Sequence, residues 1–502
     1  MTKKILPILA YILLPLAVGG IFGVLQVLPP AADEGSPVFA KMIADIGMLS
    51  KKPHIVGSQE LDDVRHFLIG EITDMGIQPI VHSKKYTLDE AYIAWGRLGR
   101  RSDVPVEPEP LPVPRPDSRF DILPEEFVVH NILVMLESPD VSARTILFAS
   151  HYDSWPDSPG AADAATPIAA MLAAMRAQAG NRSLANNIYF LMTDGEEFGA
   201  VGMLAFINDH PEFKDKVDMI INMDAQGNDG ALILFETSPD PYAMLDTFRQ
   251  AVSRPLGFSI AQRVYDMMHT YTDFCFARQY GWNGINLAVI GGVEHYHRPS
   301  DNFRHINRNT AWHYLTTTLG LADYAAGNSL DRLSVPPPSG NTIFFPLMSG
   351  NLVIFSRTAT YVLCVLAVLL ALAVSVYRHG KKRKALFSSI VLLTLAVLSV
   401  ISAVYFYEGS YLFWFALLAM SVTALLEGIR PLHIAATMIS RTLALLLWVP
   451  WIYIISVFPF VPVSVTAAAA VALLLYFICC GAELLRMKKE LGGTGICFGR
   501  RR

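Results

Sequence analysis

A histidine and an aspartate two residues apart, His151 and Asp153, stand at the end of an apolar run, Thr145-Ile146-Leu147-Phe148-Ala149. The run reads as a buried strand, and in a strand positions i and i+2 share a face. A loop containing Pro159 and Gly160 follows and ends at a second acidic residue, Asp163. Residues 164–176 then read as a helix. An imidazole and carboxylates converging at the carboxyl end of a buried strand are the ingredients of a zinc site. On this stretch alone, a hydrogen-bonded structural histidine is an equally simple reading of His151.

Three more apolar runs end the same way. Residues 187–192 lead into Thr193-Asp194-Gly195-Glu196-Glu197-Phe198-Gly199, and residues 217–223 lead to Asp224. Residues 285–290 precede Gly291-Gly292 and then Glu294-His295-Tyr296-His297-Arg298-Pro299-Ser300-Asp301. Four strand ends thus each deliver a metal-capable or acidic residue, and sheets of this kind bind ligands at the carboxyl ends of their strands. Bland readings stand beside this one. Glu196-Glu197 reads equally as an acidic loop. His295 competes with His297 as a ligand, and Asp301 has the position of a helix cap. Asp157 and Asp194 read as loop or turn residues, and Cys275 as a small buried apolar residue.

Taken together, His151-x-Asp153, Pro159-Gly160-Ala161-Ala162-Asp163, Asp194-Gly195-Glu196-Glu197-Phe198-Gly199, Asn222-Met223-Asp224 and Tyr296-His297-x-x-x-Asp301 resemble the M28 family of zinc aminopeptidases. The most similar subgroup is membrane-anchored, with an extracytoplasmic or lumenal peptidase domain followed by several spans. The resemblance covers about residues 40–330. It implies that His151 and Asp224 hold one Zn2+, that Glu197 and His297 hold a second, and that Asp163 bridges the two. It implies Glu196 as general base, Asp153 as the residue orienting His151, and Tyr296 as a group that helps stabilise the oxyanion. Its register favours His297 over His295. The chain departs from the family pattern in three places. Thr272-Asp273-Phe274 stands where Ser-Asp-His is usual, Ala162-Asp163-Ala164 keeps the acidic bridge but not its neighbours, and Arg298 follows His297 where Thr is usual.

The chemistry of such a set is coherent. Two ions about 3.5–4 Å apart lower the pKa of a shared water toward neutrality. Of two adjacent glutamates, one ligates while the other takes the proton from the nucleophile and passes it to the leaving amine.

Strands alternating with helical stretches predict an α/β domain, with a mostly parallel mixed sheet flanked by helices as in zinc exopeptidases. Ser58 is a fair N-cap for a helix over residues 61–75, with Gly76 ending it. Residues 128–136 read as a strand. The proline-dense stretch 103–116 reads as an extended surface excursion.

The chain has 502 residues and a net charge of −4, which gives no electrostatic reason for a nucleic-acid partner. Of its residues 52% are hydrophobic, and the excess is localised. Lys3-Lys4 precede an apolar stretch at 5–28, long enough to span a bilayer. A linker is expected around 334–340. Apolar segments recur at 361–377, 386–406, 411–426, 443–460 and 463–485, and the loop 378–384 and the tail are basic. Placing the basic segments in the cytoplasm puts the central domain outside it, in a periplasmic, extracellular or lumenal space.

The expected organisation is an anchor at 1–30, a peptidase domain at 31–335, a linker at 336–358, an all-α transmembrane region of about five helices at 359–485 and a cytoplasmic tail at 486–502. Glu408 falls in a short outer loop and Glu483 near the end of the last span, so the spans carry no charged set that would mark transport. Of the five cysteines only Cys275 lies outside the apolar segments and the tail, so the soluble part has no disulfide framework.

The function expected from all this is a membrane-anchored di-zinc exopeptidase, first of all an aminopeptidase, with peptides as substrate and membrane lipid as surroundings. Carboxypeptidase or glutaminyl-cyclase chemistry on the same fold is a second reading. A non-catalytic binding ectodomain is a third, against which the intact Glu196 argues. Oligomeric state is not legible.

Overall fold

The computed structural model describes residues 27–98 and 118–334 apart from Asp240, Met267 and His269, the pieces 342–346 and 351–356, and Ala359 and Val362. The proline-dense 103–116 stretch and the membrane spans expected from the sequence lie outside these residues, save for Val27, Leu28 and Val362. Among the described residues no helix is long and apolar enough to cross a membrane.

The centre of the domain is a seven-stranded sheet. In chain order its strands are β1 (Ile80–Thr87), β2 (Glu126–Leu136), β3 (Thr145–His151), β4 (Asn187–Thr193), β5 (Met219–Ala225), β6 (Ile233–Thr237) and β7 (Gly284–Val289). Across the sheet the order is β1-β2-β4-β3-β5-β7-β6. The inner four, β4, β3, β5 and β7, pair in parallel. β2 and β6 run the other way, and β1, antiparallel to β2, rejoins the main direction. The sheet is therefore mixed and mostly parallel.

Burial explains the composition of the inner strands. Every residue of β3 and β5 is buried, so both faces require apolar side chains and the runs are continuous rather than alternating. The long helices Thr166–Gln178 and Arg308–Gly327 pack on each other and on inner strands. The helix Gln59–Asp74 begins on Ser58, whose Oγ accepts the Leu61 N–H at 3.1 Å. It ends in a Schellman turn, with Ile77 N–H donating to the Ile72 carbonyl and Gly76 N–H to that of Thr73. Gly76 supplies the left-handed φ of 76° that this turn needs.

Three elements differ from the sequence expectation. β1 is mostly exposed and polar, an edge strand with no apolar run to announce it. The helix expected from residue 164 begins at Thr166. Asp163 and Ala164 have non-helical dihedrals, so the loop reaches two residues further. Part of the segment expected as a linker forms a hairpin, β8 (Ile343–Pro346) with β9 (Leu352–Phe355). Its Ile343, Phe344, Phe345 and Leu352 are buried. Phe344 exchanges hydrogen bonds with the Ser259 hydroxyl through its main chain. Apolar side chains on a short strand pair find cover more readily against a domain than in a free linker.

Candidate metal centre

The parallel strands β4, β3, β5 and β7 bring their carboxyl ends to one edge of the sheet, and the ionisable side chains gather there. His151 is the last residue of β3, and Asp224 lies one residue before the end of β5. Asp194-Gly195-Glu196-Glu197 follows β4 directly, and His297 comes from the loop after β7.

Asp163 is the hub. Its Oδ1 lies 3.1 Å from His151 Nε2, while its Oδ2 lies 3.5 Å from His297 Nε2. On the His151 side Asp224 Oδ1 stands 3.5 Å from the same Nε2. On the other side Glu197 Oε2 stands 3.1 Å from His297 Nε2. Two groups result, His151–Asp163–Asp224 and Asp163–Glu197–His297, each with its ligand atoms within 4.8 Å of one another.

The surrounding hydrogen bonds fix this arrangement. His151 Nδ1 lies 3.0 Å from the main-chain carbonyl of Asp153 and 3.5 Å from that residue's carboxylate. The carbonyl is therefore the closer partner for orienting the ring. The Asp153 carboxylate instead accepts the main-chain N–H groups of Glu196 and Glu197, at 3.1 and 3.2 Å. It thereby ties the loop after β4 to the end of β3. Asp301 is not a helix cap. Its buried carboxylate accepts the N–H groups of Ala162 and Asp163 at 2.8 and 3.2 Å, and Asn302 caps the short turn that follows. Gly160, at φ 66°, lets the loop close, since a Cβ there would meet the Asp163 carbonyl oxygen at 2.6 Å. His295 stacks on His305 at 4.9 Å and belongs to neither group. His297 adopts a left-handed φ of 56°, rare for a residue with a Cβ.

Tyr296 and Trp155 both stack on the His297 ring, at centroid distances of 3.6 and 3.8 Å. Asp194 is a buried residue whose Oδ2 accepts the His130 N–H, and Asp157 is exposed. Asp273 accepts a hydrogen bond from the Thr193 hydroxyl, and Phe274, in the position where the family has His, is wholly buried. Cys275 is buried.

Electrostatics identify what the cluster accommodates. Asp153, Asp163, Asp194, Glu196, Glu197, Asp224 and Asp273 are all buried, with His151 and His297 as the nearby imidazoles. Burial alone would lower both histidines. The carboxylates outweigh it, holding His151 well above the ordinary range and raising His297 to about 9. Burial, reinforced by neighbouring carboxylates, pushes Glu196, Glu197 and Asp224 up. Burial also tends to raise Asp163, but the two imidazoles hold it below its usual range. Glu196 Oε1 and Glu197 Oε1 are buried without a protein partner. A pocket with this excess of acidic oxygens, two imidazole nitrogens and unused carboxylate oxygens fits divalent zinc.

Sequence reasoning marked the two histidines and the carboxylates around them. It missed Arg119, Tyr271 and Trp155, which flank the Glu197–His297 side; no spacing or periodicity draws attention to them.

Residues 131–322 match the profile described as Peptidase family M28. This stretch is similar to the peptidases of that family. The M28 match contains every residue of both ligand groups. The chain is 30% identical over 204 residues to a protein of Candida dubliniensis named "Vacuolar membrane protease", covering 40% of this chain and 21% of that one. A protein of the same name from Lachancea thermotolerans is 26% identical over 348 residues, covering 68% of this chain and 34% of that one. The chain thus spans about a fifth to a third of the length of these curated relatives. Among solved structures it is similar to an aminopeptidase from Aneurinibacillus sp., with a TM-score of 0.44 and 13% identity over 60% of this chain and 98% of that one. Fimbriiglobus ruber glutaminyl cyclase gives a TM-score of 0.42 and 14% identity over 58% of this chain and 97% of that one.

Proposed function

We propose that this chain is a membrane-anchored di-zinc exopeptidase, an aminopeptidase acting on peptides outside the cytoplasm. The observation that carries the reading is the sharing of Asp163 between two three-ligand groups. One zinc would be held by His151, Asp163 and Asp224, and the other by Asp163, Glu197 and His297. When bound, such a pair supplies Lewis acidity and a water of lowered pKa.

The chain's own residues do the rest. Glu196 is not needed for either ligand group, is buried beside both, and keeps an unpartnered carboxylate oxygen. It takes the proton of the attacking water and delivers it to the leaving amine. Asp153 keeps Glu196 and Glu197 in register through their main-chain N–H groups. Tyr296, held flat against His297, offers its hydroxyl to the developing oxyanion.

The apolar segments at 5–28 and beyond 359, with their basic flanks, support the membrane anchorage. The relatives named as membrane proteases support it further.

The direct test uses the purified full-length chain. We expect two equivalents of zinc per chain and hydrolysis of aminoacyl arylamides that a chelator abolishes and zinc restores. Activity indifferent to the chelator, or release from peptides only at the carboxyl end, would overturn the reading.

A further inference from the structure

Arg119 belongs to a short turn, Ser118–Ile122, that is distant in sequence from every residue of the metal centre. Its Nη1 nevertheless donates to the main-chain carbonyl of Glu197 at 2.7 Å and to the Tyr271 hydroxyl at 3.1 Å. The Tyr271 hydroxyl donates to the same Glu197 carbonyl at 3.4 Å. The guanidinium also lies over the Trp155 ring at 4.9 Å, and Trp155 stacks on His297 at 3.8 Å with the rings 12° from parallel. Two routes, one through the main chain and one through an indole, therefore lead from Arg119 to ligands of a single ion position. Neither route touches His151 or Asp224.

We propose that Arg119 is a positioning residue for the Glu197–His297 ion alone, acting as a clamp on both of that ion's unshared ligands. This rests on the two-metal reading above. The clamp requires a planar donor that bonds a carbonyl at its edge and stacks on an aromatic ring by its face. Arginine combines these properties and lysine does not. A cation near a metal position also disfavours the metal by Coulomb repulsion, so two effects oppose each other. Outer partners that orient ligands are worth about tenfold to a hundredfold in metal affinity. The repulsion is smaller because the guanidinium meets a carbonyl and ring faces rather than the ligand atoms themselves. Orientation wins.

The test is a zinc titration of the full-length chain against a competing chelator, resolving the two equivalents. Arg119→Ala is expected to weaken one equivalent by about tenfold to a hundredfold and leave the other as in wild type. Arg119→Lys should recover only part of that loss. Tyr271→Phe, which removes one hydroxyl and keeps the ring, should weaken the same equivalent by a smaller factor, so the result does not hang on the folding of the alanine variant. Equal weakening of both equivalents, unchanged affinity, or tighter binding in Arg119→Ala would overturn the clamp. A wild-type chain taking up fewer than two ions would defeat the two-metal reading. Two ions in wild type with no difference in the variants would defeat the clamp and leave that reading standing.

Discussion

Asp301 lies 138 residues beyond Asp163 and accepts that residue's main-chain N–H at 3.2 Å, together with the Ala162 N–H at 2.8 Å. The Asp163 carboxylate, which belongs to both ligand groups, is thus presented by a loop that another part of the chain holds in place. Asp301→Ala would leave two buried N–H groups without a partner, at about 1–3 kcal/mol each. We expect a lower melting temperature and weaker uptake of both zinc equivalents, since Asp163 serves both groups. Asp301→Asn keeps an acceptor oxygen and should lose less. Calorimetry and a zinc titration check both. Loss of one equivalent only would contradict the hub role of Asp163.

Replacing Glu196 by Gln keeps its shape and removes its basicity. Turnover should fall by about 10²–10⁴-fold, the usual worth of a general base, while zinc content stays at the wild-type level. The measurement is kcat beside metal analysis on the same sample. Undiminished kcat would remove Glu196 from the proton transfer.

His313 gives the domain an acid-sensitive joint that belongs to neither ligand group. Its Nδ1 accepts the Leu232 N–H at 3.0 Å, so the proton sits on Nε2, 3.2 Å from the Arg254 carbonyl. Burial, with Arg254 nearby, lowers its pKa from 6.5 to about 4. The folded state therefore resists a proton that the unfolded chain accepts. Stability from this residue is complete above pH 6.5, is lost as pH falls toward 4, and is level below that. The loss amounts to about 3 kcal/mol at about 1.4 kcal/mol per unit. His313→Leu should lower stability at pH 7 by about 1–3 kcal/mol, because the Leu232 N–H is orphaned. It should also flatten the pH dependence between 6.5 and 4. Unfolding curves across that range test both; an unchanged slope would show that His313 titrates normally.

Arg176 ties three helices together. From the helix Thr166–Gln178 it reaches Asp45 and Glu71, each at 2.6 Å, and Lys41 joins the same two carboxylates. The Asp45 side chain is almost wholly buried. Removing one partner of a buried pair costs about 3–5 kcal/mol. Lys41 remains to offset part of this, so Arg176→Met is expected to cost about 2 kcal/mol in thermal or chemical unfolding. Burial alone would raise Glu71, but Lys41 and Arg176 hold it below its usual value. Its contribution is therefore present above the ordinary carboxylate range and lost in acid below it, and the variant should be less acid-sensitive there.

Much of this was legible in the amino-acid order because it depends on local rules. A strand buried on both faces must be a continuous apolar run, so β3, β4, β5 and β7 were readable, and so were the His, Asp and Glu residues at their ends. Ser58 and Gly76 bracket a helix by short-range hydrogen bonding. β1 was not readable, since an exposed edge strand has no apolar signature. The β8–β9 hairpin passed for linker because its burial depends on a distant surface.

What the sequence determined by itself was the kinds of ligand and the order in which the chain delivers them, because donor chemistry is a property of single residues. The register of the resemblance already favoured Asp163 as the shared carboxylate and His297 over His295; the tertiary structure added the distances that join Asp163 to both imidazoles and the stacking that takes His295 elsewhere. It alone decided that Asp153, Asp301 and Arg119 hold main-chain groups of the ligand loops. The physical reason is that such contacts join main-chain atoms, which every residue possesses, so no residue type announces them before the chain is folded.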